Sequence, residues 1–230
     1  MGVKKLSRYE IAKMIDYASA LNANATKDDV IKSCRDAIEN GFNAVSVTPC
    51  YVPLAVEQLK GTDVKVLAAI GFPWGSTTTE TKVFETKQAI KNGAKEIDMV
   101  INIGLLKSGD YEAVKKDIEA VVKAAKEEGK DIIVKVIIET GYLTDEEKIM
   151  AAKLSRDAGA DYVKTCTGAG PGFATIHDIK LLYDTVGKDI KVKASGSVNY
   201  LEDLLKLYEA GATRFGSRSQ ALINALKKLK

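Results

Sequence analysis

Two lysines carry the chemistry that this sequence offers most plainly. Lys164 ends the run Asp161-Tyr162-Val163-Lys164-Thr165, and Lys193 holds the same place in Ile190-Lys191-Val192-Lys193-Ala194. A lone lysine at a strand end reads most simply as a side chain whose stem packs while its ammonium reaches water. Two on consecutive strands, both followed by small residues, ask for a chemical use. A free lysine amine, with a pKa of about 10.4, is almost wholly protonated at neutral pH, and only the neutral form attacks a carbonyl. A second ammonium nearby lowers that pKa. Burial pushes the same way, and a fall of about 3 units corresponds to roughly 4 kcal/mol of differential stabilisation. The pattern points to Schiff-base chemistry with Lys164 as nucleophile and Lys193 as its tuner.

Making and breaking an enamine also needs a proton carrier, and Asp98 is an acid inside the otherwise apolar Ile97-Asp98-Met99-Val100-Ile101. Facing the interior beside the lysines, it would move protons through a water, or serve as their salt-bridge partner; the two roles are compatible. Lys135, within Ile133-Val134-Lys135-Val136-Ile137, is either a further interior charge or purely structural. His177 falls in a helix-like segment and reads as a surface residue. Cys34, Cys50 and Cys166 are widely spaced and form no CxxC pair, so neither a disulfide framework nor a zinc site is expected.

These residues must be held by elements, and the elements recur. A polar, helix-period segment ends in Gly and is followed by a short apolar run: Gly41 before Ala44 to Val47, Gly93 before Ile97 to Val100, Gly129 before Ile132 to Val134, Gly159 before Tyr162-Val163, and Gly211 before Arg214-Phe215. Each Gly suits the position just past a helix end, where φ is often positive. Adding Met14-Ile15, Val64 to Ile70 and Ile190 to Val192 gives eight strand candidates separated by helical stretches such as Tyr111 to Glu128 and Asp145 to Ala158. A spacing of roughly 25 to 30 residues per unit predicts an α/β fold, a (β/α)8 TIM barrel, with an open doubly wound sheet as competitor.

In such a barrel the chemistry sits where strands end. Attention therefore falls on Asp16, Thr48, Gly71-Phe72-Pro73, Glu139-Thr140, Lys164-Thr165, Lys193 to Gly196 and Gly216-Ser217. Trp74, the single tryptophan, is either a rim residue or a pocket wall.

The 230 residues, 46% hydrophobic and 28% charged, suffice for one sizeable core, and no linker or low-complexity tract divides them, so residues 1–230 read as one catalytic domain. The net charge of +3 is spread along the chain, which gives no sign of nucleic-acid binding. No apolar run approaches the roughly 20 residues of a membrane helix, and no signal-peptide core opens the chain, so no membrane association and a cytoplasmic location are expected.

Taken together, Glu96 to Asn102, Val134 to Thr140, Val163-Lys164-Thr165, Val192 to Gly196 and Glu209 to Arg214 are specific, and nearly the whole chain resembles the 2-deoxyribose-5-phosphate aldolases, class I aldolases of the TIM-barrel type. The resemblance implies reversible cleavage of 2-deoxy-D-ribose 5-phosphate to acetaldehyde and D-glyceraldehyde 3-phosphate, with no metal and no organic cofactor. It implies Lys164 as the Schiff-base residue, Lys193 as its perturbing neighbour and Asp98 in proton relay. Substrate contacts are expected from Asp16, Ser19, Thr48, Thr165, Gly168, Gly196, Ser197, Gly216, Arg218 and Ser219. Similar proteins are commonly dimers and tetramers, so a homodimer or homotetramer is anticipated.

The loops depart from the family pattern. Tyr17 to Asn22 is one residue longer than usual, Cys166 stands where the family favours serine, and Ala169 to Phe173 is stiffer and more apolar. Gly196-Ser197 replaces Gly-Gly, and Arg218 enters a segment that commonly holds phosphate with serines. Arg218 either adds a charge-assisted contact to an anion, occupies the phosphate space and selects another substrate, or points to solvent. Two alternatives stay open: the same lysine chemistry on altered or unphosphorylated aldehydes, and a non-catalytic binding barrel.

Overall fold

The computed structural model describes residues 6–229. In chain order its elements are α1 (Arg8–Ala12), β1 (Ile15–Tyr17), α2 (Lys27–Asn40), β2 (Ala44–Val47), α3 (Val52–Gln58), β3 (Lys65–Ile70), α4 (Thr79–Lys91), β4 (Glu96–Val100), α5 (Ile103–Lys107), α6 (Tyr111–Glu128), β5 (Ile133–Ile137), α7 (Asp145–Asp157), β6 (Tyr162–Lys164), α8 (Ile176–Val186), β7 (Lys191–Ser195), α9 (Leu201–Glu209), β8 (Ala212–Ser217) and α10 (Gln220–Lys228). Each strand pairs in parallel with the next, and β8 closes onto β1 with Ile15 opposite Phe215 and Asp16 opposite Gly216. Closure settles the choice between barrel and open sheet.

Local chemistry explains where the helices begin. Thr26 and Asp29 cap α2 reciprocally, and Thr144 and Glu147 do the same for α7, each pair satisfying two otherwise unpaired N–H groups. The α6 stripe of Val114, Ile118, Val121, Val122 and Ala125 is buried against the sheet, as its 3.6-residue period requires. Gly41, Gly93, Gly159 and Gly211 have the positive φ anticipated after helices. Gly129 does not: α6 runs out through extended backbone there, with φ −177°, and the chain turns when the Ile132 N–H bonds back to the Gly129 carbonyl.

The strands differ from expectation mainly at their ends. β5 runs on to Ile137, β7 to Ser195 and β8 to Ser217, and Asp16 lies inside β1 rather than after it. The reason is period two. Ile97 and Met99, Val134 and Val136, and Val192 and Ala194 belong to the apolar core between sheet and helices, whereas the intervening Asp98, Lys135 and Lys193 face the axis. A polar barrel axis breaks the hydrophobic run that marks a strand in sequence.

Candidate active site

The axis holds Asp16, Glu96, Asp98, Lys135, Lys164, Lys193 and Arg214, all buried. Register brings them together: Lys164 is opposite Lys193, Asp98 is opposite Lys135, and Lys193 is opposite Arg214. The Lys164 ammonium donates to Asp98 Oδ2 at 2.7 Å, and Lys193 donates to the same oxygen at 2.8 Å and to Asp16 Oδ2 at 2.6 Å. Beneath this pair, Lys135 bonds Glu96 and lies 3.3 Å from Asp98 Oδ1. Arg214 donates to Asp16 Oδ1 at 2.9 Å, and Asn43 bridges Asp16 and Glu96 at 2.9 and 3.0 Å.

The electrostatics single out one amine. Asp16, Glu96 and Asp98 balance Lys135, Lys193 and Arg214, so this group of side chains is electrically neutral only when Lys164 is uncharged. Burial lowers the Lys164 pKa to about 8; the carboxylate of Asp98 opposes the fall, and the Lys193 ammonium adds to it. The cationic neighbour thus acts as expected, but burial is the larger influence. Lys193 is itself held between two carboxylates, which offset much of its field. Burial alone would raise the Asp98 carboxyl, yet Lys164, Lys193 and Lys135 hold it well below the ordinary range. Lys135 moves up despite burial, because Asp98, Asp16 and Glu96 surround it.

Two cavities open at the C-terminal ends of the strands. One, of about 370 Å³, is lined by Gly196, Ser197, Asn199, Gly216, Ser217 and Arg218, with Gly168 and Phe173 opposite. Gly216, on its wall, backs onto Lys193: a methyl built there would sit 3.8 Å from Lys193 Cε and 2.5 Å from Ser195 Oγ. Loops after strands 7 and 8 are a frequent phosphate site in barrels of this kind. The other, of about 300 Å³, is more apolar and is bounded by Leu21, Thr48, Phe72, Pro73 and Ala169. Thr167, Gly168 and Arg218 border both cavities.

Of the anticipated substrate contacts, Thr48, Gly168, Gly196, Ser197, Gly216 and Arg218 therefore line cavities, and the rest are engaged elsewhere. Thr165 exchanges both of its hydroxyl hydrogen bonds with the Ser195 backbone, at 2.8 and 3.0 Å, and so stitches β6 to β7. Ser19 donates to Ser33 Oγ at 2.9 Å, toward α2. Ser219 caps α10 and donates to the Asn199 carbonyl, and Asp16 is wholly committed to Lys193, Arg214 and Asn43.

Trp74 is 59% exposed and lines neither cavity. His177 lies exposed on α8, 2.7 Å from Asp145. Cys166 is buried beneath Thr140, and burial pushes its thiol up to about 11, so it remains unionised.

The sequence reading did not assign Glu96, Arg214 or Asn43 to the site. Glu96 carries a usable signal, since it stands two residues before Asp98 and so shares its face. Arg214 has the same relation to Gly216. Asn43 precedes β2 and has none, because its place is set by the closure of distant strands.

A family model described as DeoC/LacD family aldolase matches residues 11–213. A deoxyribose-phosphate aldolase from Thermoanaerobacter pseudethanolicus is 58% identical over 90% of this chain and 92% of its own. One from Thermococcus gammatolerans is 55% identical over 91% and 93%. The solved tetrameric deoxyribose phosphate aldolase from Aeropyrum pernix superposes with a TM-score of 0.87 at 31% identity, covering 96% of this chain and 91% of that one.

Proposed function

The chain belongs to the DeoC/LacD family of aldolases, and from that premise we propose that it cleaves 2-deoxy-D-ribose 5-phosphate reversibly to acetaldehyde and D-glyceraldehyde 3-phosphate. The single observation that carries the reading is the buried Lys164 amine, with its pKa lowered to about 8 and its nitrogen on an aspartate that it shares with Lys193. The neutral amine adds to the aldehyde carbon of the open-chain sugar and loses water, leaving an iminium. Removal of the proton from the C3 hydroxyl sends the C2–C3 bonding pair into that iminium. C3 leaves as the aldehyde of glyceraldehyde 3-phosphate, and an enamine remains on Lys164. Protonation at C2 and addition of water then release acetaldehyde and restore the amine.

Asp98 is the proton carrier in this scheme. Its hydrogen bonds to both lysines give a proton a route between the nitrogen that reacts and the nitrogen that does not. Lys193 keeps Asp98 compensated while Lys164 is neutral. The iminium itself is the electron sink, so the scheme calls for neither metal nor organic cofactor. The cavity of Gly196, Ser197, Gly216 and Arg218 takes the phosphate, with Arg218 as its cation, while Thr48 and Gly168 border the remainder of the substrate. Residues 1–230 act as one catalytic domain. A homodimer or homotetramer is part of the reading, supported by the tetramer described for the Aeropyrum pernix protein, and so is a cytoplasmic location. Among the described residues, no helix is long and apolar enough to cross a membrane.

A second reading, the same chemistry on unphosphorylated aldehydes, draws on Arg218, whose guanidinium donates to the Gly168 carbonyl at 3.3 Å and stands between the two cavities. One pair of measurements separates the readings. Borohydride reduction in the presence of acetaldehyde is expected to leave a reduced two-carbon adduct on Lys164, and Lys164→Ala to abolish both adduct and cleavage. A marked preference in kcat/KM for deoxyribose 5-phosphate over deoxyribose supports phosphate recognition. Full cleavage by Lys164→Ala would end the proposal, and absence of any adduct on the folded protein would leave a barrel that only binds.

A further inference from the structure

We infer that Glu139 is a positioning residue for the phosphate end of the substrate, acting through Thr167 and Gly168 on Arg218. Glu139 follows β5 by two residues, is 1% exposed, and lines neither cavity. Its backbone is left-handed, with φ +54° and ψ +69°, a conformation that is unfavourable for a residue bearing a Cβ. Among the described residues, positive φ outside glycine occurs at Glu139 and Ser197 alone. Ser197 is on the wall of the phosphate cavity, and Glu139 lies behind the facing loop.

What the strained backbone achieves is the placement of a carboxylate under that loop. Glu139 Oε2 accepts the Thr167 N–H at 2.9 Å and the Thr167 hydroxyl, and Thr167 Oγ1 in turn accepts the Ala169 N–H at 3.0 Å. The next carbonyl along, that of Gly168, receives the Arg218 guanidinium. One continuous run of hydrogen bonds therefore joins a buried acid to the cation of the cavity. The loop passes close to both groups: a Cβ on Gly168 would lie 2.8 Å from Nη2 of the exposed Arg218, and one on Gly170 would lie 2.9 Å from Glu139 Cδ. Farther along, the backbones of Gly141 and Gly172 press together so closely that a Cβ on Gly141 would meet Gly172 at 2.4 Å.

Stability alone would not select this arrangement. Glu139 Oε1 has no N–H or O–H donor among the described residues, and the buried Cys166 thiol is the further polar group beside this carboxylate, so a partly satisfied buried acid sits on left-handed backbone. Strain and an unmet acceptor of this kind persist where the geometry they enforce is needed. Here that geometry is the shape of residues 167–169, and through it the position of Arg218. Glu139 lines neither cavity and its side chain bonds Thr167 and not Lys164, so its effect belongs to binding of the anionic end and not to the carbon–carbon step.

The inference rests on the phosphate reading above, and the test keeps the two apart. KM and kcat are measured for deoxyribose 5-phosphate and for deoxyribose in the parent protein, Glu139→Ala, Glu139→Gln and Thr167→Val. Glu139→Ala and Thr167→Val are expected to raise KM for the phosphorylated sugar about tenfold, the worth of one lost charge-assisted hydrogen bond. For Glu139→Ala, at a residue that lines neither cavity, kcat for the phosphorylated sugar and both constants for deoxyribose should be nearly unchanged; Thr167 borders both cavities, so Thr167→Val is read by its ratio of kcat/KM between the two sugars, which should fall. Glu139→Gln should recover most of the loss, because its amide oxygen still accepts from Thr167. Equal losses on both sugars, or an unchanged phosphate preference in the two stronger variants, would overturn the inference and leave the function standing. No phosphate preference in the parent protein would overturn both. Should Glu139→Ala fail to fold, Thr167→Val and Glu139→Gln decide the matter by the same criteria.

Discussion

Lys164 is where burial and charge compete, and the outcome is measurable as a pH dependence. A lysine whose pKa lies at about 8 is mostly protonated at neutral pH, and its neutral fraction grows as pH rises through that value. The cleavage rate is therefore expected to climb on an acid limb centred near 8. Lys193→Met removes one of the two cations that compensate Asp98 beside Lys164, so more of the carboxylate charge then acts on Lys164 and its pKa moves up. The limb should shift to higher pH by about 1 unit, with about a tenfold loss of kcat at neutral pH. A limb that stays in place in this variant would show that burial alone sets the amine, with Lys193 having no part in it. Lys164, Lys193 and Asp98 were readable as residues because each violates the apolar pattern of its strand. The ranking of burial above the neighbouring cation was not readable, since it depends on Lys193 lying between Asp16 and Asp98, on strands far apart in the chain.

At the scale of elements, each helix has to hold its strand without entering the chemistry, and the caps do part of that work. In α7 the Thr144 hydroxyl accepts the Glu147 N–H while the Glu147 carboxylate accepts the Thr144 N–H at 2.9 Å. Thr144→Ala removes half of this exchange and is expected to cost about 1 kcal/mol, a fall in Tm of about 2–4 °C for a chain of this size. Thermal unfolding checks it, and an unchanged Tm would mean that packing against α6, α8 and β6 alone holds the helix start. Elements of this kind were plain in the sequence wherever the 3.6-residue period was unbroken, as from Tyr111 to Glu128. Strand ends were less plain. Ser195 in β7, and Gly216 and Ser217 in β8, look like loop residues until neighbouring strands supply partners for their backbones.

The molecule carries a network of buried ion pairs along the barrel axis, contributed by strands from both ends of the chain, so its stability should respond to acid as a unit. The Asp98 and Asp16 carboxyls both titrate below the ordinary range: burial works against this, and the cations Lys164, Lys193 and Lys135 around Asp98, with Lys193, Lys135 and Arg214 around Asp16, overcome it. A carboxyl with a lower pKa folded than unfolded contributes stability that is complete above the unfolded value of about 3.9 and is lost as pH falls toward the folded one. The urea midpoint is accordingly expected to hold steady from neutral pH to about 5 and then to drop steeply, at constant m. A midpoint that changes little between pH 5 and 3 would mean that these pairs are equally well formed in the unfolded chain.

By itself the sequence determined the alternation of helix and strand, the eightfold count, and the residue types that can form and protonate an enamine, because these rest on periods of 2 and 3.6 and on side-chain chemistry, which are local. Only the tertiary structure decided which polar residues meet. Closure of β8 on β1 brought Asp16 to Arg214 and Lys193, the pairing of β6 with β7 turned Thr165 to the Ser195 backbone, and the adjacent loops gave Ser219 the Asn199 carbonyl and put Glu139 under the segment that carries Thr167. Those contacts join residues up to 198 positions apart, and no local pattern encodes such a distance. It is fixed by the register at which the barrel closes.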